Sequence, residues 1–183
     1  MATTKINFDH VLQCCQREVQ ALGLIIQYTH NLDPFFKGDL DGKIIYIGNH
    51  LSAAEKLFNL LHLAGHSIQW NVDPLLRNLG SSLYCNPDDQ LLLQLQEYEW
   101  QANCYALELL HEAGVFYLDK WLTRKYVIDM LYLTHFYKTG EKLRSISAVA
   151  RAYRFKRALE PARIPVFTAS AGSHSRNGLV IAF

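Results

Sequence analysis

The sequence predicts an α+β protein that is mostly helical and carries a small β-sheet or hairpin. A β-branched and aromatic run from Gly42 to Asn49 is typical of a short strand. Long apolar segments without proline or glycine follow it, and their apolar residues recur at helical spacing. Half of the 183 residues are hydrophobic, which suffices for one domain with a sizeable core or for one domain plus a helical appendage.

The chain opens with a predicted helix. Asn7 or Asp9 can cap its start, and it ends near Leu22, where Gly23 takes the position that favours a left-handed backbone. The sequence therefore predicts that a connection follows Gly23.

Two short strands follow that helix in the prediction. The apolar run 24–28 can pair with residues 43–47 across a turn-rich segment, residues 31–41. Residues 71–89 contain several proline, glycine and asparagine breakers and form the longest predicted irregular stretch.

A helix beginning after Ser52 carries the first candidate ligands. Ser52 and Glu55 have the spacing of a capping box. His62 and His66 lie four residues apart in this apolar helix, so their side chains share one face. Burying two imidazoles costs free energy unless each finds a partner, and a metal ion is one such partner. The alternative is a pair of histidines that bond to neighbours in a metal-free helical interaction protein.

A second long helix, residues 90–111, supplies a carboxylate, and Asp88 or Asp89 can cap it. Glu99 on this helix would complete a His₂Glu zinc site. Glu97 is the alternative third ligand, because residues two apart on a helix point about 200° apart and only one of them can face the histidines.

The motifs resemble those of a known family. The strand, then His62-Leu63-Ala64-Gly65-His66, then Glu99-x-x-Ala102-Asn103-x-x-Ala106-x-x-Leu109-Leu110, is similar to the ImmA/IrrE family of zinc metallopeptidases over roughly residues 8–112. The resemblance implies a compact zincin-like domain over residues 1–114 with His62, His66 and Glu99 as metal ligands. It also implies an intracellular endopeptidase that cleaves a transcriptional repressor.

Two departures from the family pattern bear on activity. Leu63 occupies the position of the catalytic glutamate, and His111-Glu112 replaces the Met-Pro that commonly follows the second motif. A general base typically contributes 10²- to 10⁴-fold to the rate. We therefore expect a degenerate member of the family, a zinc-binding regulatory pseudoprotease that binds a protein partner and has no confidently assigned catalytic residue.

An active zinc endopeptidase remains the second hypothesis. Its general base would then have to come from another acidic side chain. Glu97, Glu55 or the pair Asp88 and Asp89 are the candidates that the sequence offers.

The segment after Gly114 predicts a helical C-terminal region, residues 115–163, packed on the first domain. One helix spans Leu118 to Lys138 and ends at Gly140, and another spans about Glu141 to Leu159. The tail, residues 164–183, is compatible with a terminal hairpin, a partner-binding strand or a mobile segment.

Charge is segregated along the chain. Residues 1–137 carry nine Lys/Arg against fifteen Asp/Glu, whereas residues 138–183 carry nine against two. The basic segment includes Arg151, Arg154 and Arg157, which can contact nucleic acid, an acidic partner or the acidic body of the same chain. We expect the last of these, because no motif that reads nucleic acid accompanies the charges.

The targeting features predict a cytoplasmic protein with no membrane association. Residues 1–5 lack the apolar core of a secretory signal, and no apolar run reaches the 18 residues or more of a membrane span. The four cysteines form no C-x-x-C pair and no disulfide framework, which favours a reducing compartment.

Overall fold

A computed structural model describes residues 6–30, 36–80, 87–141, 158–172 and 180–181. Within these ranges the protein is α+β, with five helices beside a small mixed sheet. The helices are α1 (Phe8–Ala21), α2 (Ala53–Val72), α3 (Pro74–Gly80), α4 (Asp89–Glu112) and α5 (Asp119–Thr139). The strands are β1 (Ile25–Thr29), β2 (Phe36–Leu40), β3 (Ile44–Gly48) and β4 (Val180–Ile181).

The first helix has the predicted boundaries. The Asn7 side chain accepts a hydrogen bond from the His10 amide at 3.2 Å, and this bond caps the N-terminus of α1. Gly23 follows the helix with a φ of 80°, a left-handed conformation that glycine adopts at little cost. The chain then enters β1 directly.

The sheet has the strand order β1-β3-β2-β4. β1 runs parallel to β3, with Ile25 opposite Ile44, which confirms the predicted pairing of these two segments. β2 runs antiparallel to β3, and β4 adds antiparallel to β2.

The description of residues 31–41 as a turn-rich segment was wrong for its second half, because residues 36–40 form β2. Gly38 is a strand-breaking residue in sequence terms, but it has a packing role here. A Cβ at this position would lie 2.6 Å from Leu63 Cδ1 and 2.9 Å from the Tyr46 carbonyl oxygen. Only glycine leaves room for α2 to pack this closely on the strand.

The predicted capping box at the start of α2 is confirmed. Ser52 Oγ accepts from the Glu55 amide at 3.4 Å, and a Glu55 carboxylate oxygen accepts from the Ser52 amide at 3.1 Å. The other carboxylate oxygen pairs with Lys37 Nζ at 2.9 Å. These hydrogen bonds, first those from Ser52 and then that from Lys37, lower the pKa of Glu55 to about 2.

The segment between α2 and α4 is more regular than predicted. α3 occupies residues 74–80 of the stretch that the sequence indicated to be irregular. The first residue of α3 explains why the prediction was wrong. Pro74 breaks a helix in its interior, but proline also suits the first turn of a helix. The Asp73 side chain accepts from the Leu75 amide at 2.8 Å and supports that turn.

The two long helices that follow were predicted correctly. The Asp88 side chain caps α4 by accepting from the Leu91 amide at 2.8 Å. α5 ends at Gly140, which adopts a left-handed φ of 69°. Among the described helices, none has the length and apolarity needed to cross a membrane.

The C-terminal part lies partly outside the described residues. Residues 142–157, which include Arg151, Arg154 and Arg157, belong to that undescribed part, and so does most of the helix predicted for residues 141–159. Residues 158–172 form no helix or strand, so a helix does not reach Leu159. Ile164 nevertheless packs against the core, so this part of the tail is held in place.

The core lies on both sides of α2. This helix packs on β2 and β3 on one side and on α4 on the other, and its residues 57–70 are all buried. The candidate ligands His62 and His66 therefore lie in the middle of the molecule.

Replacing Glu55 by glutamine tests the capping box through its pH dependence. The pKa of Glu55 is lower in the fold than its ordinary value of 4.5, so its carboxylate stabilises the protein above that pH. We expect Glu55→Gln to lower the free energy of unfolding at neutral pH by about 1 kcal/mol or less, since the group is partly exposed. Urea denaturation should show this difference shrinking as the pH falls toward 2. A difference that does not change with pH would contradict the assignment.

Candidate metal centre

Three ligand atoms converge at one buried point between α2 and α4. His66 Nε2 lies 3.2 Å from His62 Nε2 and 3.2 Å from Glu99 Oε2, and His62 Nε2 lies 3.4 Å from the same Glu99 oxygen. All three residues are buried: His62 is 1% exposed, and His66 and Glu99 are each 5% exposed. The structure therefore brings together the three residues that the sequence proposed as metal ligands.

The spacing of these atoms suits a metal ion. Bonds of about 2.0–2.2 Å to a tetrahedral zinc place neighbouring ligand atoms roughly 3.3–3.6 Å apart. The observed separations of 3.2, 3.2 and 3.4 Å lie within or about 0.1 Å below that range. Two imidazole nitrogens and a carboxylate oxygen this close need either protons or a cation between them, because their lone pairs repel.

The close contact of α2 with α4 sets these distances. A Cβ on Gly65 would lie 2.7 Å from the Ala102 carbonyl carbon and closer still to its oxygen. Gly65 is thus the residue that lets the two helices touch at the backbone. His62 and His66 flank it on α2, and Glu99 lies one turn before Ala102 on α4.

A hydrogen bond between His66 and Gln69 places the ring proton of His66 on Nδ1. Gln69 donates through Nε2 to the Tyr98 carbonyl at 2.9 Å and to Gln101 Oε1 at 2.9 Å. Its Oε1 is therefore the acceptor for His66 Nδ1, at 2.8 Å. With the proton on Nδ1, Nε2 offers its lone pair to the three-atom group.

The second ring nitrogen of His62 faces an amide. Asn103 Nδ2 donates to the Glu99 carbonyl at 2.9 Å and lies 3.1 Å from His62 Nδ1. Asn103 Oδ1 is buried and has no hydrogen-bond partner within the described residues. A half-turn of this amide would present Oδ1 to a protonated Nδ1 and free Nε2 for a metal, at the loss of the bond to the Glu99 carbonyl.

Aromatic rings restrain both imidazoles. Phe58 stacks on His62 at a centroid distance of 5.7 Å, and Tyr98 stacks on His66 at 4.4 Å. Trp70 Nε1 donates to the Tyr98 hydroxyl at 2.7 Å and holds that ring in place. The two histidines therefore have little freedom to turn away from the site.

Burial and proximity set the charge states. Burial, and then the neighbouring His66, lower the pKa of His62 to about 4, so this ring is neutral at pH 7. Burial raises the pKa of Glu99, but the charge and hydrogen bond of His66 in its protonated form, and then the charge of a protonated His62, outweigh burial and leave this pKa below its usual value. Neutral imidazole and ionised carboxylate are the forms that bind a metal.

Leu63 packs on the sheet. It is fully buried, and its Cδ1 lies against Gly38 of β2. The position that carries the general base in the H-E-x-x-H motif of zinc peptidases therefore presents an apolar side chain to β2.

The other carboxylates proposed from the sequence do not join the group of three ligand atoms. Glu97 is exposed and lines a groove between α3 and α4, so Glu99 and not Glu97 faces the histidines. Glu55 is held by Ser52 and Lys37 at the start of α2.

Asp129 on α5 is a site residue that the sequence analysis missed. Its Oδ2 lies 3.9 Å from His62 Nε2, and the residue is buried. Burial, and then the charge of Glu99, raise the pKa of Asp129 to about 8, although Lys37 and Lys125 lower it in part. The sequence offered one indication of this role, because Asp129 is the lone carboxylate in the largely apolar run 126–134.

Comparisons with protein-family models, curated proteins and solved structures found no match to this chain. The resemblance to the ImmA/IrrE peptidases therefore stays a prediction that rests on its motif residues.

Gly65→Ala tests the helix contact. Alanine is the better helix former by about 1 kcal/mol, so propensity alone predicts a more stable protein. We expect the opposite, a loss of about 1–3 kcal/mol by overpacking, because the new methyl group meets the Ala102 carbonyl. Thermal or urea denaturation measures the change. A variant as stable as wild type would contradict the role assigned to Gly65.

Proposed function

We propose that this chain is a zinc-binding regulatory protein that resembles a zinc peptidase but lacks its general base, and that it binds a protein partner without cleaving it. One observation carries the proposal. His62, His66 and Glu99 direct three ligand atoms at one buried point, while the neighbouring position 63 holds a buried leucine.

The residues present suit zinc in their chemistry. Two imidazole nitrogens and one carboxylate oxygen form a common zinc-binding set. A bound zinc ion would supply Lewis acidity and polarise a water molecule. The chain's own contribution is to hold the three ligands, to orient both rings through Gln69 and Asn103, and to exclude solvent from the site.

Leu63 does not supply the general base that hydrolysis would require beside the three ligands. A peptidase needs a group beside the site that accepts the proton of the attacking water, and leucine has none. The loss of a general base typically lowers the rate by 10²- to 10⁴-fold. This argument supports a binding function over a catalytic one.

The alternative of an active endopeptidase is weakened by the positions of its proposed bases. Glu55 lies two helical turns before His62, about 10 Å along the axis of α2. Asp88 and Asp89 lie at the start of α4, about 15 Å along its axis from Glu99. Glu97 points to the opposite face of α4.

The metal-free interaction protein is the third hypothesis. It would bury His62, His66, Glu99 and Asp129 together without an ion. Burying a charged group without compensation costs several kcal/mol, so the fold would have to protonate one or more of these groups to stay stable. A dication removes that requirement, which favours the metal-binding proposal.

A groove beside the site offers a surface for a protein partner. It has a volume of about 610 Å³, lies between α3 and α4, and combines leucines with the polar side chains of Gln94, Glu97 and Gln101. Leu75 at its edge is 75% exposed. By the family resemblance the partner is a transcriptional repressor and the compartment is the cytoplasm. Both are part of the proposal.

Leu63→Glu tests the proposal that the missing base is what abolishes hydrolysis, and Leu63→Gln is the matched control because it adds the same bulk without a carboxylate. Zinc content and thermal stability are measured for both variants and for wild type. With zinc bound, Leu63→Glu should cleave an unfolded protein substrate at least about tenfold faster than either wild type or Leu63→Gln.

The two contrary results have different meanings. Wild-type protein that already cleaves as fast as Leu63→Glu would show that this chain is an active peptidase. A folded, zinc-loaded Leu63→Glu variant without any gain would show that the lack of activity does not originate at position 63.

A further inference from the structure

Asp129 brings a second carboxylate to the candidate metal centre from a helix that carries none of the motif residues. Its Oδ2 lies 3.9 Å from His62 Nε2, and the side chain is 11% exposed. Within the described residues, the ring of His62 is the basic group that lies within 4.0 Å of this carboxyl, and because that ring is neutral at pH 7 the contact is not an ion pair.

α5 is anchored with this residue toward the site. Gln96 Nε2 on α4 donates to Thr134 Oγ1 on α5 at 3.3 Å. Tyr126 and Leu133 of α5 are buried and lie three and four residues from Asp129, on the same side of the helix. Asp129 is therefore held at the site by the packing of its helix.

Once a metal ion is bound, the charge of the ligand group matches that of a divalent cation. His62 and His66 contribute two imidazoles, and Glu99 and Asp129 contribute two carboxylates. With both imidazoles neutral, as metal ligands must be, two ionised carboxylates carry a charge that one divalent ion balances.

We propose that Asp129 is the fourth protein ligand of the metal ion held by His62, His66 and Glu99. This inference rests on the proposed metal-binding function. The Asp129 oxygen lies 3.9 Å from His62 Nε2, but it lies outside the set of ligand atoms from His62, His66 and Glu99 that are all within 4.8 Å of one another. Coordination therefore requires a rotation of the aspartate side chain that brings this oxygen closer to the other three atoms.

A fourth protein ligand has a functional consequence. Catalytic zinc sites keep one position open for water or substrate, whereas sites with four protein ligands are closed. A His₂GluAsp set would make the ion of this chain a structural or regulatory one, and the gain of hydrolysis expected for Leu63→Glu would then require Asp129 to leave the ion. This set would also tie the position of α5 to metal binding, since α5 supplies one ligand and α2 and α4 supply the rest.

Asp129→Asn tests the assignment in the full-length chain, with Asp119→Asn as the matched control. Asp119 also lies on α5 and pairs with His111, but it is ten residues, about 15 Å of helix, from Asp129. Each protein is stripped with a chelator, and its zinc affinity is measured by competition with a chromophoric chelator. Cobalt(II) is then added, because its visible absorption reports the coordination number and geometry of the site and changes when a ligand is lost or exchanged.

We expect Asp129→Asn to weaken zinc binding by more than about 100-fold, beyond the 10- to 100-fold cost of losing an outer-shell partner. Its cobalt spectrum should also differ from that of wild type. The metal-free variant should melt at or above the wild-type temperature, because a buried carboxylate has been removed. Asp119→Asn should match wild type in affinity and spectrum.

Contrary outcomes separate this inference from the proposed function. Equal zinc affinity and an unchanged cobalt spectrum in Asp129→Asn would overturn the ligand assignment and leave the His₂Glu site intact. If wild-type protein proved to cleave peptides, unchanged metal binding with loss of that activity in Asp129→Asn would overturn both this assignment and the non-cleaving function, and would show that Asp129 acts on water. Wild-type protein that binds no zinc would overturn both proposals.

Discussion

The contact between α2 and α4 at Gly65 and Ala102 is the constraint on which the site depends. Two helices with ordinary side chains at their crossing are about 8–10 Å apart, axis to axis. Here a side chain as small as a methyl group on Gly65 would collide with the Ala102 backbone. This contact is what lets ligands from two helices come within 3.4 Å of one another. Any residue larger than glycine would separate the histidine pair from Glu99.

The surroundings of the three ligand atoms restrict them further. Gln69 and Asn103 each contact one imidazole and also donate a hydrogen bond to a backbone carbonyl of α4. They therefore fix the positions of the two imidazoles relative to α4. Phe58 and Tyr98 cover the two rings. The same packing that orders the imidazoles also removes water from them, which lowers the pKa of His62 and keeps this ring in the neutral form that a metal ion can bind.

Much of this arrangement was predictable from the sequence because it depends on local spacing. The Ser52–Glu55 capping box, the histidine pair and the two long helices follow from periodicity and capping residues. The choice between Glu97 and Glu99 was less secure, because helix spacing shows only that one of them faces the histidines. The family resemblance favoured Glu99, and the structure places Glu99 at the site.

The features that the sequence did not reveal depend on tertiary packing. Gly38 looks like a strand breaker until Leu63 is seen against it, and Pro74 looks like a breaker until it is seen to begin a helix. Asp129 lies 30 residues beyond Glu99, on a helix whose position relative to α2 no local pattern encodes. Sequence periodicity and capping residues predict helices and strands, but they do not show which side chains from distant parts of the chain pack against a site.

Zinc content of the purified protein is the most direct measurement of the central claim, that α2 and α4 hold a metal ion between them. The protein, a His66→Ala variant and a His50→Ala control are analysed by inductively coupled plasma mass spectrometry after dialysis against zinc. His50 is an exposed histidine in the turn before α2, so its loss leaves the site intact. We expect one zinc ion per chain in wild type and in His50→Ala, and little or none in His66→Ala. Wild-type protein without zinc, or a His66→Ala variant that retains all of it, would contradict the account.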